Sequence, residues 1–130
     1  MRYMCDPELL VDKLQALLEA LERIPRRFAG IAVPADFYAS DSGIDRMDAI
    51  CMILIAAGEE LKNIDRKTEG KLRSRYPGVG WRGVIGTRDI LAHAYFQVNA
   101  EQLFDTCRND IPPLIETVKT MIKDIEAGAA

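Results

Sequence analysis

The sequence is poor in the residues that build disulfides and metal sites. Its three cysteines, Cys5, Cys51 and Cys107, are odd in number and far apart. They predict neither a disulfide framework nor a Cys-x-x-Cys zinc or redox site, and we interpret them as small buried hydrophobic residues. The single histidine, His93, leaves no cluster of His, Cys and carboxylates to hold a catalytic ion. We therefore expect a protein that uses neither a metal nor a cofactor.

Long hydrophobic runs are also missing. No stretch approaches the ~18 consecutive apolar residues that a membrane-spanning helix needs. The first eight residues lack the apolar segment of a signal peptide. We therefore expect a cytoplasmic protein that does not associate with a membrane.

What the sequence does contain is the balance of a globular protein, with 48% hydrophobic and 28% charged residues in 130. This length suits one domain with a core that needs no disulfide or metal support. We predict a single domain over residues 1–126 and a disordered tail over residues 127–130.

The charge is unevenly distributed. A net charge of -3 argues against a protein that coats nucleic acid nonspecifically, since such binding requires many contacts to phosphates. Residues 62–88, however, hold eight basic residues against two acidic ones. This basic segment is either a solvated helix end and loop or a local attractor for a polyanion such as RNA. In the second interpretation, the candidate RNA-binding residues are Lys67, Lys71, Arg73, Arg75 and Arg82.

Hydrophobic periodicity predicts helices throughout. Asp6 and Pro7 are typical of a helix start, and the leucine pattern that follows ends at Ile24-Pro25. We leave residues 26–38 as a loop or short helix. Asp41-Ser42-Gly43 offers caps for a long second helix with apolar positions from Ile44 to Ile64. Its middle, Ile50 to Gly58, is apolar on every side, so this helix is either central or clamped against another subunit. Residues 66–75 are interpreted as its frayed continuation, and residues 76–80 as a loop.

Two more helices complete the predicted fold. Trp81 to Tyr95 forms one of them, despite Gly83 and Gly86, and Trp81 is interpreted as a core residue. Asn99 caps the last helix, whose apolar stripe continues to Ile125 across a kink at Pro112-Pro113. Because no segment alternates as a strand does, the sequence predicts an all-α fold. We expect an up-and-down helical bundle of four to five helices.

The Trp81 to Tyr95 helix is largely apolar, so its few polar side chains are notable. Asp89 and His93 are four residues apart and share a face, where the carboxylate can orient the imidazole. Arg88 lies about 140° around the helix from His93. These residues are either structural partners or a functional site, and a site made within one chain would be strained.

The string Arg88-Asp-Ile-Leu-Ala-His93-Ala-Tyr95 resembles the Arg-x4-His-x-Tyr signature of the HepT-like HEPN toxins. The context is similar too, from Tyr76-Pro77 and Trp81-Arg82 before the motif to Asp110-Ile111-Pro112 after it. The sequence departs from the family in its glycines at 78, 80, 83 and 86, where bulkier residues are usual. The resemblance spans most of the chain.

This resemblance implies the toxin of a type II toxin-antitoxin pair, a metal-independent endoribonuclease whose site forms between two protomers of a homodimer. Its implied partner is an antitoxin, a nucleotidyltransferase of the MNT type. Catalysis would fall to Arg88, His93 and Tyr95, with Asp89 in support. The substrate's 2′-hydroxyl would attack the phosphate, with His93 moving protons and Arg88 stabilising the added charge. In some members of the family the antitoxin transfers AMP to the motif tyrosine, so Tyr95 is also a candidate for modification.

Two other interpretations remain open. The chain could be a catalytically silent HEPN helical module that binds a nucleotidyltransferase partner or a nucleotide. It could also be a purely structural helical dimer, which would require the basic segment and the motif to face opposite sides of the molecule.

Overall fold

A computed structural model describes residues 6–77, 79, 81–94 and 99–128, without the side chains of residues 82 and 92–94. These residues form an up-and-down bundle and contain no strand, which confirms the predicted all-α class. The elements in chain order are α1 (Pro7–Phe28), a 3-10 turn (Pro34–Phe37), α2 (Asp41–Lys67), α3 (Lys71–Ser74), α4 (Trp81–Ala94), α5 (Ala100–Asp105), a π-helical segment (Thr106–Asp110) and α6 (Ile111–Glu126).

Helix α1 begins as predicted and ends later than predicted. The side chain of Asp6 caps it by accepting a hydrogen bond from the backbone N–H of Glu8. The helix does not end at Ile24-Pro25 but continues to Phe28. Proline keeps a helical φ but removes one N–H and crowds the carbonyl four residues earlier, and α1 ends within one turn of Pro25.

Helix α2 is capped one residue earlier than predicted. Ser40, and not Asp41-Ser42-Gly43, supplies the cap, and its hydroxyl accepts a hydrogen bond from the N–H of Gly43 at 3.1 Å. The predicted frayed continuation over residues 66–75 is wrong. The chain leaves α2 after Lys67 and takes positive φ angles of 54° at Glu69 and 73° at Gly70. Because two successive left-handed residues break a helix, α3 is a separate turn.

Helix α4 forms despite its glycines, and Gly83 lies close to the π-helical segment. A Cβ added at Gly83 would lie 2.5 Å from a carboxylate oxygen of Asp110, so a side chain there would require the carboxylate of Asp110 to move. Trp81 is buried and donates its indole N–H to the backbone carbonyl of Tyr76 at 3.0 Å. Its interpretation as a core residue is therefore confirmed.

The last predicted helix is present but divided. Asn99 caps it by accepting hydrogen bonds from the N–H groups of Glu101 and Gln102 at 2.8 and 3.2 Å. The predicted kink at Pro112-Pro113 takes the form of the π-helical segment immediately before α6. Two adjacent prolines remove two N–H donors, so the preceding turn cannot keep the regular α-helical pattern.

The core lies between α1, α2, α4 and α6, and α2 packs most extensively against α4 and α1. Helix α2 is not covered on every side, because Met52 in its apolar middle is 67% exposed. The two predicted alternatives, a central helix and a helix clamped against another subunit, therefore both stay predictions. Cys51 and Cys107 are buried as predicted, whereas Cys5 lies outside the described residues. No helix within the described ranges is long and apolar enough to cross a membrane.

Candidate functional site

Helices α2 and α4 approach each other closely where Gly58 faces Arg88. A Cβ added at Gly58 would lie 2.5 Å from Cγ of Arg88 and even closer to its Cβ. Real Cβ atoms do not approach other atoms this closely, and Cβ of Arg88 is fixed to the backbone of α4. The absence of a side chain at Gly58 is therefore what lets Arg88 lie across α2.

The guanidinium of Arg88 is held by carboxylates from both helices. Its Nη2 atom pairs with Glu59 on α2, and its Nη1 atom donates to Oδ1 of Asp89 on α4 at 2.9 Å. The side chain of Arg88 is only 18% exposed, and its buried Nε has no hydrogen-bond partner among the described residues. Arg88 is thus prepositioned, with its positive charge already paired.

Asp89 also binds a second cation. Nζ of Lys62 lies 3.3 Å from the same Oδ1 that accepts from Arg88. The hydrogen bond from Arg88 lowers the pKa of the Asp89 carboxyl, and the hydrogen bond from Lys62 lowers it further. Asp89 is therefore a carboxylate at neutral pH and joins the two cations. We call Glu59, Lys62, Arg88 and Asp89 the charged cluster.

The other motif residues are only partly described. The backbone of His93 lies in α4, one turn beyond Asp89, but its side chain lies outside the described residues. The predicted contact between Asp89 and His93 therefore stays a prediction. Tyr95 also lies outside the described residues.

The basic residues predicted to bind RNA lie around the junction of α2, α3 and α4. Lys67 ends α2, Lys71 and Arg73 belong to α3, and Arg75 follows it. Arg73 pairs with Asp65 at 3.4 Å, and Lys71 reaches Glu69 only at 4.0 Å. Such half-exposed ion pairs are weak and are readily exchanged for other anions. The side chain of Arg82 is not described.

The basic segment ends at the motif arginine, Arg88, and its first residue also reaches the motif. Lys62, the first basic residue of the segment, contacts Asp89, which is the neighbour of the motif arginine. The two features therefore do not face entirely opposite sides of the molecule. The interpretation as a purely structural dimer would require that they did.

Sequence reasoning did not assign Gly58, Glu59 or Lys62 to the site. Glu59 and Lys62 are three residues apart on α2 and so share a face, which was a usable signal. Their partners on α4 could not be read from the spacing, because the register between two helices depends on packing. Within the described part of the chain, no group of three or more His, Cys, Asp or Glu side chains could hold a metal ion.

Comparison with known families agrees with the motif. Residues 10–121 match the family described as "Ribonuclease HepT-like". This match covers most of the chain, so the protein belongs to the HepT-like ribonuclease family. The predicted resemblance is thereby confirmed.

Three similar proteins carry the names of ribonucleases. The chain is 32% identical to a Thermococcus cleftensis protein named "Probable ribonuclease HepT", over 79% of this chain and 86% of that one. It is 29% identical to a Caldanaerobacter subterraneus protein named "Putative RNase", over 85% of this chain and 91% of the other. A Methanocaldococcus jannaschii protein with the same kind of name is 37% identical over 60% of this chain and 61% of its own length.

No solved structure gives a significant match to this chain.

Proposed function

We propose that the protein is the toxin of a type II toxin-antitoxin pair and cleaves RNA without a metal ion. Its site would be composite, formed by Arg88 and His93 of two protomers in a homodimer. The observation that carries this proposal is the placement of Arg88. Its guanidinium is fixed at the α2–α4 contact, on the helix that also carries His93. Family membership supports an activity on RNA.

The chemistry follows from what RNA cleavage requires. A base removes the proton from a 2′-hydroxyl, the oxygen attacks the adjacent phosphorus, and the bond to the 5′-oxygen breaks as that oxygen gains a proton. The pKa of a histidine suits proton transfer near neutrality, whereas an arginine fork matches phosphate oxygens. One histidine cannot easily serve as base and acid in the same step. His93 of the partner subunit would supply the second group.

The surface near the charged cluster supports a dimer. Met52 on α2 and Ile90 on α4 are 67% and 39% exposed, and each lies within two turns of Gly58 or Arg88 along its helix. Contiguous exposed apolar patches mark interfaces, and a dimer that joins the α2–α4 surfaces would cover both side chains. Sedimentation at micromolar concentration tests the proposal, and a monomer would contradict the composite site.

The decisive experiment is an RNase assay of the purified protein with its Arg88→Ala and His93→Ala variants, with and without EDTA. Arg88→Ala should lower the rate by roughly 10²- to 10³-fold, as the loss of an oxyanion-type donor does. His93→Ala should lower it at least as much, and Tyr95→Phe less. Products should carry a 2′,3′-cyclic phosphate or 3′-phosphate and a 5′-hydroxyl. Loss of activity in EDTA, or 5′-phosphate ends, would contradict the mechanism.

The proposed regulation involves a nucleotidyltransferase antitoxin of the MNT type. Tyr95 is the proposed acceptor of AMP, because it follows His93 by two residues and a bulky anion there would block the site. Co-expression with a nucleotidyltransferase of the MNT type and mass spectrometry of the peptide containing Tyr95 test this step. An unmodified Tyr95 under those conditions would contradict it.

A second candidate function is a catalytically silent module that binds a nucleotidyltransferase or a nucleotide. The double pairing of Arg88 favours it, since an arginine held by two carboxylates has little free charge for a phosphate. Absence of cleavage by the wild-type protein, together with stable binding of the transferase by both wild type and His93→Ala, would decide for this candidate.

A further inference from the structure

Lys62 is the one basic residue that α2 contributes to the charged cluster. Its ammonium bonds the same Asp89 oxygen that binds Arg88, at 3.3 Å against 2.9 Å for Arg88. A single carboxylate oxygen thus brings an ammonium and a guanidinium side by side, at the contact between α2 and α4. Two adjacent cations of this kind match the two non-bridging oxygens of a phosphodiester.

The pair of Lys62 and Asp89 contributes little to holding the fold together. The two side chains are 43% and 47% exposed, and ion pairs this open to water are typically weak. The contact between the helices is secured instead by Gly58 and the apolar core. Lys62 can therefore engage another anion at little cost in stability.

The geometry points to Lys62 as a second phosphate-binding residue of the RNA site, held beside Arg88 by the shared oxygen of Asp89. This inference rests on the proposed function and adds a residue to it. Asp89 occupies one of the three ammonium donors of Lys62, which leaves two for a phosphate. Because Lys62 is 43% exposed and Arg88 only 18%, an incoming phosphate meets Lys62 first.

The expected contribution of Lys62 is to binding and not to the chemical step. A mobile, hydrated ammonium attracts the phosphate about equally before and during the reaction, so its loss should raise KM and leave kcat nearly unchanged. Arg88, fixed by two carboxylates, should instead affect kcat. The split between the two parameters separates a phosphate-binding Lys62 from one that merely supports the fold.

The test compares Lys62→Met with Lys119→Met, a matched control. Lys119 on α6 is 47% exposed and pairs with Glu116 at 3.1 Å and Glu22 at 4.0 Å, so it is, like Lys62, a half-exposed lysine in surface ion pairs. Affinity is measured for a mixed-sequence single-stranded RNA with methylated 2′-hydroxyls, which binds but lacks the nucleophile. KM and kcat are measured on the unmodified RNA, and thermal unfolding reports on folding.

We expect Lys62→Met to weaken binding about tenfold at low salt and to lower the salt slope by about one, while Lys119→Met matches the wild type. Lys62→Arg should keep most of the affinity and so exclude a general defect in folding. If Lys62→Met binds like Lys119→Met while Arg88→Ala loses activity, the role of Lys62 is overturned and the proposed function stands. If the wild type neither binds nor cleaves RNA, the proposed function fails, and the role of Lys62 fails with it.

Discussion

Replacing Gly58 with alanine tests whether the approach of α2 to α4 depends on the missing side chain. Alanine is favoured over glycine in a helix by about 0.5–1 kcal/mol. At residue 58, however, the new methyl group would lie 2.5 Å from Cγ of Arg88 and closer still to its Cβ. Overpacking of this kind typically costs about 1–3 kcal/mol. We therefore expect Gly58→Ala to destabilise the protein by roughly 1 kcal/mol.

Gly86 provides the matched control. It lies in α4, two residues before Arg88, and a Cβ added there would meet no other atom within 4 Å. Only the helix propensity should then act, so Gly86→Ala should stabilise the protein by about 0.5–1 kcal/mol. Two identical substitutions at neighbouring sites in the fold should therefore change stability in opposite directions.

Thermal or urea unfolding of both variants at one protein concentration measures the difference. For a chain of this length, 1 kcal/mol corresponds to about 3–5 °C in Tm. Gly58→Ala should also lower RNase activity, because Arg88 can no longer lie across α2 in the same way. If Gly58→Ala were as stabilising as Gly86→Ala, the close approach at Arg88 would be refuted, and with it the argument for a prepositioned guanidinium.

Three further predictions concern other side chains of the described residues. Burial raises the pKa of Cys51 to about 11, with Asp48 adding to the shift, and that of Cys107 to about 12. Both thiols should therefore resist alkylation in the native protein and react on unfolding. Peptide mapping that shows either thiol labelled in the native protein would contradict their burial. Burial, followed by the charge of Asp105, raises the pKa of Asp110. A raised folded pKa means that stability falls as pH rises through it, so an Asp110→Asn variant should gain Tm at pH 7 and lose that gain well below the ordinary pKa of 3.8. Glu59→Gln removes a negative charge beside Arg88 and should tighten RNA binding by about 1 kcal/mol, or about fivefold in Kd. Weaker binding would mean that Glu59 supports the site instead of competing with the phosphate.

The fold was predictable from sequence wherever hydrophobic period and caps agreed. Two kinds of local signal are present in the structure as predicted. They are the apolar stripes of α1, α2 and α6 and the N-caps at Asp6 and Asn99. The errors lie at boundaries. Pro25 was treated as a stop although it can lie in a last turn, and the positive φ at Glu69 is not a conformation that its residue type favours.

The candidate site was predictable only as far as one helix carries it. The motif spacing identified Arg88, Asp89 and His93, and the resemblance to the HepT-like family assigned their roles. Glu59 and Lys62 come from α2, some 30 residues earlier in the sequence. Which residues of α2 meet Arg88 depends on how the two helices pack, and Gly58 determines that packing through the side chain it lacks. A hydrophobic pattern records which face of a helix is buried and carries little information about such a register.

The charged cluster also changes how the motif arginine should be understood. A free arginine on a helix would attract any phosphate, including those of abundant cellular anions. In this structure, Arg88 is paired with Glu59 and Asp89 and is mostly buried. An anion that binds Arg88 must therefore compete with two carboxylates, and the contact of one phosphate with Arg88 is too weak to do so. An RNA backbone that also engages Lys62 and the basic residues near α3 can do so, because several phosphates bind at once. Selectivity for a polyanion over a single phosphate then follows from the same carboxylates that hold Arg88 in place. Inorganic phosphate at millimolar concentration should therefore compete only weakly with RNA in the wild type and more strongly in Glu59→Gln, and equal competition in both would contradict this account.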